Sequence, residues 1–458
     1  MTQTVPVPLW LLAIVLLFAG VTFASHFLFP SVRWFFRRRM ERAVARLNLR
    51  LTRPIQPFKL ATRHDTIQRL IYDPAITAAV VEHARAEGIP ENVAFEQARR
   101  HAREIVPSFS ATVYFSIGTR LARWIARSLY RVRVGAFDRD QLERIDPDAT
   151  VIFVMNHRSN MDYLLVTYLV AGASALSYAV GEWARVWPLS WLIRAMGAYY
   201  IRRRSLGLLY RRVLARYVQM ATAAGVTQAV FPEGGLSLTG RIAPARLGIL
   251  SYIVEDYRPG GRDVIFVPVA LNYDRVIEDR FLVAADAAGV RRFRPPLGVM
   301  LRALLVHLWQ RITRRFVRFG TATVSFGAPL SLASYLTEAR ASPTEALAAE
   351  VMARLARVTP VLGVPLICRL VLKQPGLTRA GLQDAVRATL IALAAQGVAV
   401  PRRSAAQVTD DALAMLRGRG VLAQGAAIAV KPGEEALLRY YAASIAHHFA
   451  ADGAGNGR

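Results

Sequence analysis

The chain has 458 residues, a net charge of +27 and a pI near 11.2, and is 53% hydrophobic and 20% charged. So much apolar material excludes a disordered chain, and one cysteine, Cys368, excludes a disulfide scaffold. The charge calls for an anionic partner, whether nucleic acid, anionic lipid or a phosphorylated substrate, although 56 arginines against 3 lysines (Lys59, Lys373, Lys431) is also what genomic base composition produces.

Between Met1 and Val32 there is no Asp, Glu, Lys or Arg, and residues 9–29 are almost continuously apolar. About 20 apolar residues at ~1.5 Å each span a ~30 Å hydrocarbon core, so the expectation is one membrane-crossing helix. A cleaved signal peptide wants a basic start, which is missing here; a buried core helix is the other alternative. Directly after it come Arg33, Arg37, Arg38, Arg39, Arg42, Arg46, Arg50 and Arg53 against a single acid, Glu41. The positive-inside rule then puts the rest of the chain in the cytoplasm, behind a single N-terminal pass through the inner membrane.

Residues 33–130 read as mainly helical, with apolar residues at helical spacing over 76–86 and 91–105. Residues 113–130 mix Phe115, Ile117, Leu121, Trp124, Ile125 and Leu129 with Arg120, Arg123 and Arg127. This suits an interfacial helix, and equally a core helix with a solvated arginine face. From about 131 short apolar runs alternate with helical stretches. Strands are expected at 150–155, 176–180, 198–201, 228–231, 264–271 and 322–326, with helices at 161–170 and 208–223 among those between them. The implied fold is α/β, a mixed, largely parallel sheet flanked by helices. Residues 300–319 carry Leu301, Leu304, Leu305, Leu308, Ile312 and Phe316 at helical spacing beside Arg311, Arg314, Arg315 and Arg318; this fits a surface helix or a site for anionic lipid. Residues 341–458 turn helical again. The expected organisation is an anchor at 1–32, a helical region at 33–130, an α/β domain at 131–340 and a helical C-terminal region at 341–458.

Four segments carry candidate chemistry. In 151–163 a buried strand runs into Asn156 and His157, where ligands of open α/β sheets bind. Asp162 follows in the first turns of a helix, and its carboxylate there suits orienting the imidazole as a general base. On spacing alone a capping histidine beside a locally bonded aspartate fits as well. In 197–204 a short aromatic strand ends in Arg202, Arg203 and Arg204, forks suited to phosphate, or an ordinary basic surface run. In 231–241 Gly234 and Gly235 permit close backbone approach, Glu233 suits a substrate hydroxyl, and Ser237, Thr239 and backbone amides suit phosphate oxygens. In 267–273 Pro268 interrupts an apolar strand and so suggests a bulge or a sheet edge.

In this order and at these separations the four segments resemble the four motifs of the glycerolipid acyltransferase superfamily, the first being its His-x4-Asp signature. Arg158-Ser159 after His157 and Tyr163 after Asp162 are similar to the glycerol-3-phosphate acyltransferase branch. The stretch 437–449 looks like the close of its bacterial members. The resemblance is sharpest over about 150–275. It implies acyl transfer from acyl-CoA or acyl carrier protein to the sn-1 hydroxyl of glycerol 3-phosphate, the first step of phospholipid synthesis. His157 and Asp162 would be catalytic, and Arg158, Ser159, Arg202, Arg203, Glu233, Gly234, Gly235, Ser237, Arg241 and Pro268 would meet substrate. No metal or other cofactor is implied, and the partners would be the two substrates and anionic membrane lipids. The family commonly has arginines after the glycine pair of the third motif; here Leu236 and Leu238 stand there, which moves the phosphate role toward Arg202, Arg203 and Arg241. The alternatives are a 1-acylglycerol-3-phosphate acyltransferase, acylation of dihydroxyacetone phosphate, or a non-catalytic basic protein binding membrane or nucleic acid. For nucleic acid the chain lacks both aromatic platforms and a recognised helical motif.

Overall fold

The computed structural model describes residues 8–23, 29–181, 189–202, 207–290, 309, 313, 318–337, 342–425 and 428–453. The chain divides into two compact units, Met1–Pro54 and Ile55–Arg458.

The first unit contains helices Leu9–Phe23 and Phe29–Asn48. The first has 15 residues, none of them buried. At ~1.5 Å per residue it is about 22 Å long, short of a ~30 Å hydrocarbon core. No helix among the described residues is long and apolar enough to cross a membrane. The crossing expected over 9–29 is therefore not confirmed: the described helix stops at Phe23, and 24–28 lie outside the described residues.

The second unit is built on an eight-stranded sheet: β1 (Arg131–Val134), β2 (Thr150–Met155), β3 (Ser177–Gly181), β4 (Tyr199–Ile201), β5 (Gln228–Val230), β6 (Val264–Tyr273), β7 (Thr321–Phe326) and β8 (Leu330–Ser331). The order is β1-β7-β6-β2-β5-β3-β4, with β8 also on β6. Strands β2 to β6 run parallel, while β7 and β8 pair antiparallel with β6. The expected α/β class with a largely parallel, helix-flanked sheet is what is found.

Strand β2 shows why these residues form a central strand. All six are buried, and alternate side chains point to opposite faces. Ile152 and Val154 join a core with the helices Arg63–Ile71, Pro74–Glu87, Glu91–Ile105 and Leu208–Ala223. Val151, Phe153 and Met155 join a second core with the C-terminal helices Gly363–Lys373, Ala405–Gly418 and Glu435–Ala443. The Glu91–Ile105 helix lies on the first face because Ala94, Ala98 and Ala102 recur every four residues and are all buried. The helices within 63–105, with Leu208–Ala223 and Pro343–Arg357, thus line one face of the sheet, and Met161–Val170 with the helices from Gly363 onward lines the other.

Pro268 departs from expectation. It is neither in a bulge nor at an edge but inside β6, opposite Val154 of β2. On the other side of β6, β8 pairs only with Ile265 and Phe266, and β7 begins at Val269. Pro268 falls in that gap. Its carbonyl accepts from Gly327 N at 2.8 Å on this side. The N–H and C=O of one strand residue face the same way, so the missing donor also faces the gap and no ladder bond is lost.

The segment expected to be an interfacial or core helix is a π-helical turn, Val113–Gly118, followed by helix Thr119–Leu129. Ala122, Ala126 and Leu129 are buried, and Ile117, Leu121 and Trp124 are exposed beside Arg120, Arg123 and Arg127. The amphipathic helix expected over 300–319 lies outside the described residues, apart from 309, 313, 318 and 319.

Candidate active site

His157 stands two residues beyond β2, at the carboxyl edge of the parallel strands. The strand's end is held by Asn156, whose side chain repeats a ladder pairing. Its Nδ2 donates to Leu271 O at 2.9 Å, and Leu271 N donates back to its Oδ1 at 2.8 Å.

Asp162 lies in the first turn of the Met161–Val170 helix and is fully buried. Its Oδ2 accepts from His157 Nδ1 at 2.9 Å, from Arg158 N at 2.7 Å and from Ser159 N at 3.0 Å. Its Oδ1 accepts from the Tyr273 hydroxyl. An ionised carboxylate only accepts, so the imidazole must carry its proton on Nδ1. In the neutral ring Nε2 then carries the lone pair, and no hydrogen bond reaches it among the described residues. The ring lies against Phe231 with centroids 4.1 Å apart, and Tyr163 meets its edge at 5.5 Å.

The 231–241 loop folds back onto the backbone of His157. Glu233 Oε1 accepts from His157 N at 3.0 Å, and Ser237 N donates to His157 O at 2.9 Å. Glu233 Oε2 accepts from Ala243 N at 3.0 Å. Burial pushes this carboxyl from 4.5 up to about 7, against the pull of those two amides. Both oxygens therefore hold backbone. Ser237 Oγ donates to Arg241 O at 2.6 Å, so it too serves the loop. Gly234 has a positive φ of 73° and packs on the Arg246 side chain, with Gly235 half-buried beside it. Leu236 and Leu238 pack on the C-terminal core, which accounts for apolar residues where the resemblance expects arginine.

Arg158 is buried, donates through Nη1 to Gly240 O and lies 4.9 Å over the Tyr440 ring. Its Nε and Nη2 have no hydrogen-bond partner among the described residues. Ser159 Oγ donates to Glu278 Oε2 at 2.8 Å, and Asn160 Nδ2 donates to Glu278 Oε1 at 2.9 Å. The next residue, Asp279, accepts from Tyr441 OH and Arg419 Nη2, each at 2.5 Å, tying the segment after β6 to the C-terminal helices.

Of the predicted residues, His157, Arg158, Ser159, Asp162, Glu233 and Ser237 form one hydrogen-bonded assembly, and Gly234 and Gly235 belong to the same loop. Pro268 is buried in β6. Arg241 has an exposed side chain. Arg202, beyond the edge strand β4, gives its fork to Glu104: Nε–Oε1 is 2.8 Å and Nη2–Oε2 2.6 Å. Arg203 lies outside the described residues. The sequence did not single out Tyr273, Phe231 or Glu278 as parts of the site. Their contacts join segments far apart in the chain, and no local spacing announces them.

Residues 137–272 match the Acyltransferase family, and residues 307–454 match the family described as the glycerol-3-phosphate acyltransferase C-terminal region. Among solved structures, the 1-acyl-sn-glycerophosphate (LPA) acyltransferase PlsC from Thermotoga maritima is 18% identical, with a TM-score of 0.33. The match covers 57% of this chain and 80% of that one. The first match takes in three of the motif segments and all but the last residue of the fourth, and the second takes in the C-terminal helices Gly363–Lys373, Ala405–Gly418 and Glu435–Ala443. The chain belongs to the glycerolipid acyltransferase superfamily, in its glycerol-3-phosphate acyltransferase branch, and is an O-acyltransferase.

Proposed function

We propose that the protein moves a fatty acyl group from a thioester, on coenzyme A or acyl carrier protein, to the sn-1 hydroxyl of glycerol 3-phosphate. The observation that carries this is the 2.9 Å contact of His157 Nδ1 with Asp162 Oδ2, beside an Nε2 that has no hydrogen-bond partner among the described residues. The match at 307–454 is what favours glycerol 3-phosphate as acceptor. Nε2 takes the hydroxyl proton as the oxygen attacks the thioester carbonyl. The imidazolium, stabilised by Asp162, then returns the proton to the departing thiolate. The His–Asp pair acts on the acceptor hydroxyl directly, without an acyl-enzyme. Cys368 is buried in the C-terminal core, where burial raises its thiol far above the ordinary value.

For the phosphate, Nε and Nη2 of Arg158, which have no partner among the described residues, and the exposed Arg241 support a role in this mechanism. Arg202 contributes only by exchanging Glu104 for substrate. We place the enzyme at the cytoplasmic face of the inner membrane. The uncharged, exposed Leu9–Phe23 helix, the arginines after it, and the arginine-flanked Ile117, Leu121 and Trp124 surface support that placement.

The test is H157A and D162A in detergent micelles with labelled glycerol 3-phosphate. 1-Acylglycerol 3-phosphate and dihydroxyacetone phosphate are run as competing acceptors. The expected loss is at least about 10²-fold in each variant. Near-wild-type turnover in either, or faster acylation of another acceptor, defeats the proposal.

A further inference from the structure

The Asp162 carboxylate is held from two sides. Oδ2 faces His157 and the amides of Arg158 and Ser159. Oδ1 has one partner among the described residues, the hydroxyl of Tyr273, which is 111 positions away. Tyr273 is the last residue of β6 and is fully buried. Its ring is fixed by Tyr130, with centroids 5.4 Å apart, and Tyr130 OH is itself tied to Arg275 O at 2.8 Å. The strand that pairs with β2 thus also delivers a donor to the aspartate that follows β2.

We propose that Tyr273 is a positioning residue for the acyl transfer, fixing the Asp162 carboxylate from the side opposite His157 through its phenolic hydroxyl. The inference rests on His157 being the base of the proposed reaction. A buried carboxylate oxygen without a donor carries a large penalty, and no Lys or Arg side chain donates to Asp162 among the described residues. The Tyr273 hydroxyl fills that position and fixes the plane of the carboxylate, and hence the direction of the imidazole. Burial, and then the charge of Asp162, raises the phenol well above its ordinary value, so it remains a donor across the working pH range. Other ionisable groups facing this pair are Tyr130, Glu278, Glu233 and Tyr440. None of them is altered when only the Tyr273 hydroxyl is removed.

The test is Y273F, which keeps the ring and its packing. A carboxylate with one fewer donor binds the imidazolium more strongly. His157 then stays protonated to higher pH, and the acid limb of the kcat/KM profile moves upward. The expected result is a kcat lower by roughly tenfold or more, unchanged KM for both substrates, and that upward shift. Y130F removes a neighbouring buried hydroxyl that does not touch Asp162, and is expected to leave the limb in place. An unmoved limb in Y273F, or an equal shift in Y130F, overturns the proposal. If Y273F does not fold, 3-fluorotyrosine at position 273 keeps the hydroxyl and strengthens it as a donor. The limb then moves to lower pH, and no movement overturns the proposal. Wild type against H157A, assayed in parallel, reports on the reaction itself, so its failure is distinguishable from that of Tyr273.

Discussion

Glu233 accepts the backbone amide of His157 at 3.0 Å, so the third motif holds the first by its main chain. This costs stability in a pH-dependent way. The carboxyl is raised by burial from 4.5 to about 7, so the folded chain binds its proton more tightly than the unfolded chain. The contribution is fully present below about 4.5 and is lost as pH rises through about 7. A shift of that size corresponds to about 3 kcal/mol. E233Q does not titrate. Unfolding midpoints between pH 4.5 and 8 are therefore expected to fall more steeply in wild type than in E233Q. Equal slopes would show that Glu233 does not hold its proton in the fold.

Arg202 and Glu104 form a two-point ion pair that is partly exposed. Such pairs contribute about 1 kcal/mol or less. If Arg202 serves substrate phosphate by changing partners, R202A raises KM for glycerol 3-phosphate about tenfold or more. E104Q, which frees the fork, then leaves KM equal or lower. If the pair only braces β4 against the Glu91–Ile105 helix, the two variants lose the same small stability and neither changes KM. Initial rates against acceptor concentration, with melting curves, separate the two.

What the sequence disclosed follows from how local its signals are. Strand β2 was legible to the residue, because six consecutive positions are buried and both faces are covered. The helices Met161–Val170 and Leu208–Ala223 were equally plain from their apolar spacing. Strand β1 was missed: Arg131 and Arg133 alternate with valines in a half-exposed edge strand, which lacks an apolar run. The His157–Asp162 contact spans five residues and could be anticipated. Arg202–Glu104 spans 98 residues and Tyr273–Asp162 spans 111, and only the folded sheet brings them together. The placement of Pro268 depends on where β8 stops and β7 starts, which its own neighbours do not encode.

Asn156 extends the β2–β6 pairing with a side chain in place of a backbone unit. N156A leaves the buried N–H and C=O of Leu271 unpaired, a cost of about 2–3 kcal/mol. It also frees the strand end that carries His157. Denaturant unfolding is expected to show that loss, and kcat is expected to fall with little change in KM. N156D keeps an acceptor for Leu271 N but loses the donor to Leu271 O, so it should be intermediate or worse. An N156A enzyme as stable as wild type would mean that β6 does not hold this turn.

Gly240 joins the third motif to the C-terminal region. Its carbonyl accepts from Arg158, and Tyr440, whose ring lies under that guanidinium, has its backbone oxygen 1.9 Å from where a Gly240 Cβ would stand. Its φ is +83°, a conformation that L side chains rarely adopt. G240A thus meets backbone strain and a main-chain clash together, and neither is relieved by a rotamer change. The Glu435–Ala443 helix must move away or the 231–241 loop must open. Either movement releases Arg158, and opening the loop also disturbs the Glu233 and Ser237 contacts to His157. The expected result is a loss of about 2 kcal/mol or more in stability. Limited proteolysis should cut the C-terminal helices faster, and turnover should fall at least about tenfold although no catalytic group has changed. A G240A enzyme with wild-type proteolysis and turnover would show that the C-terminal region does not brace the site through this glycine.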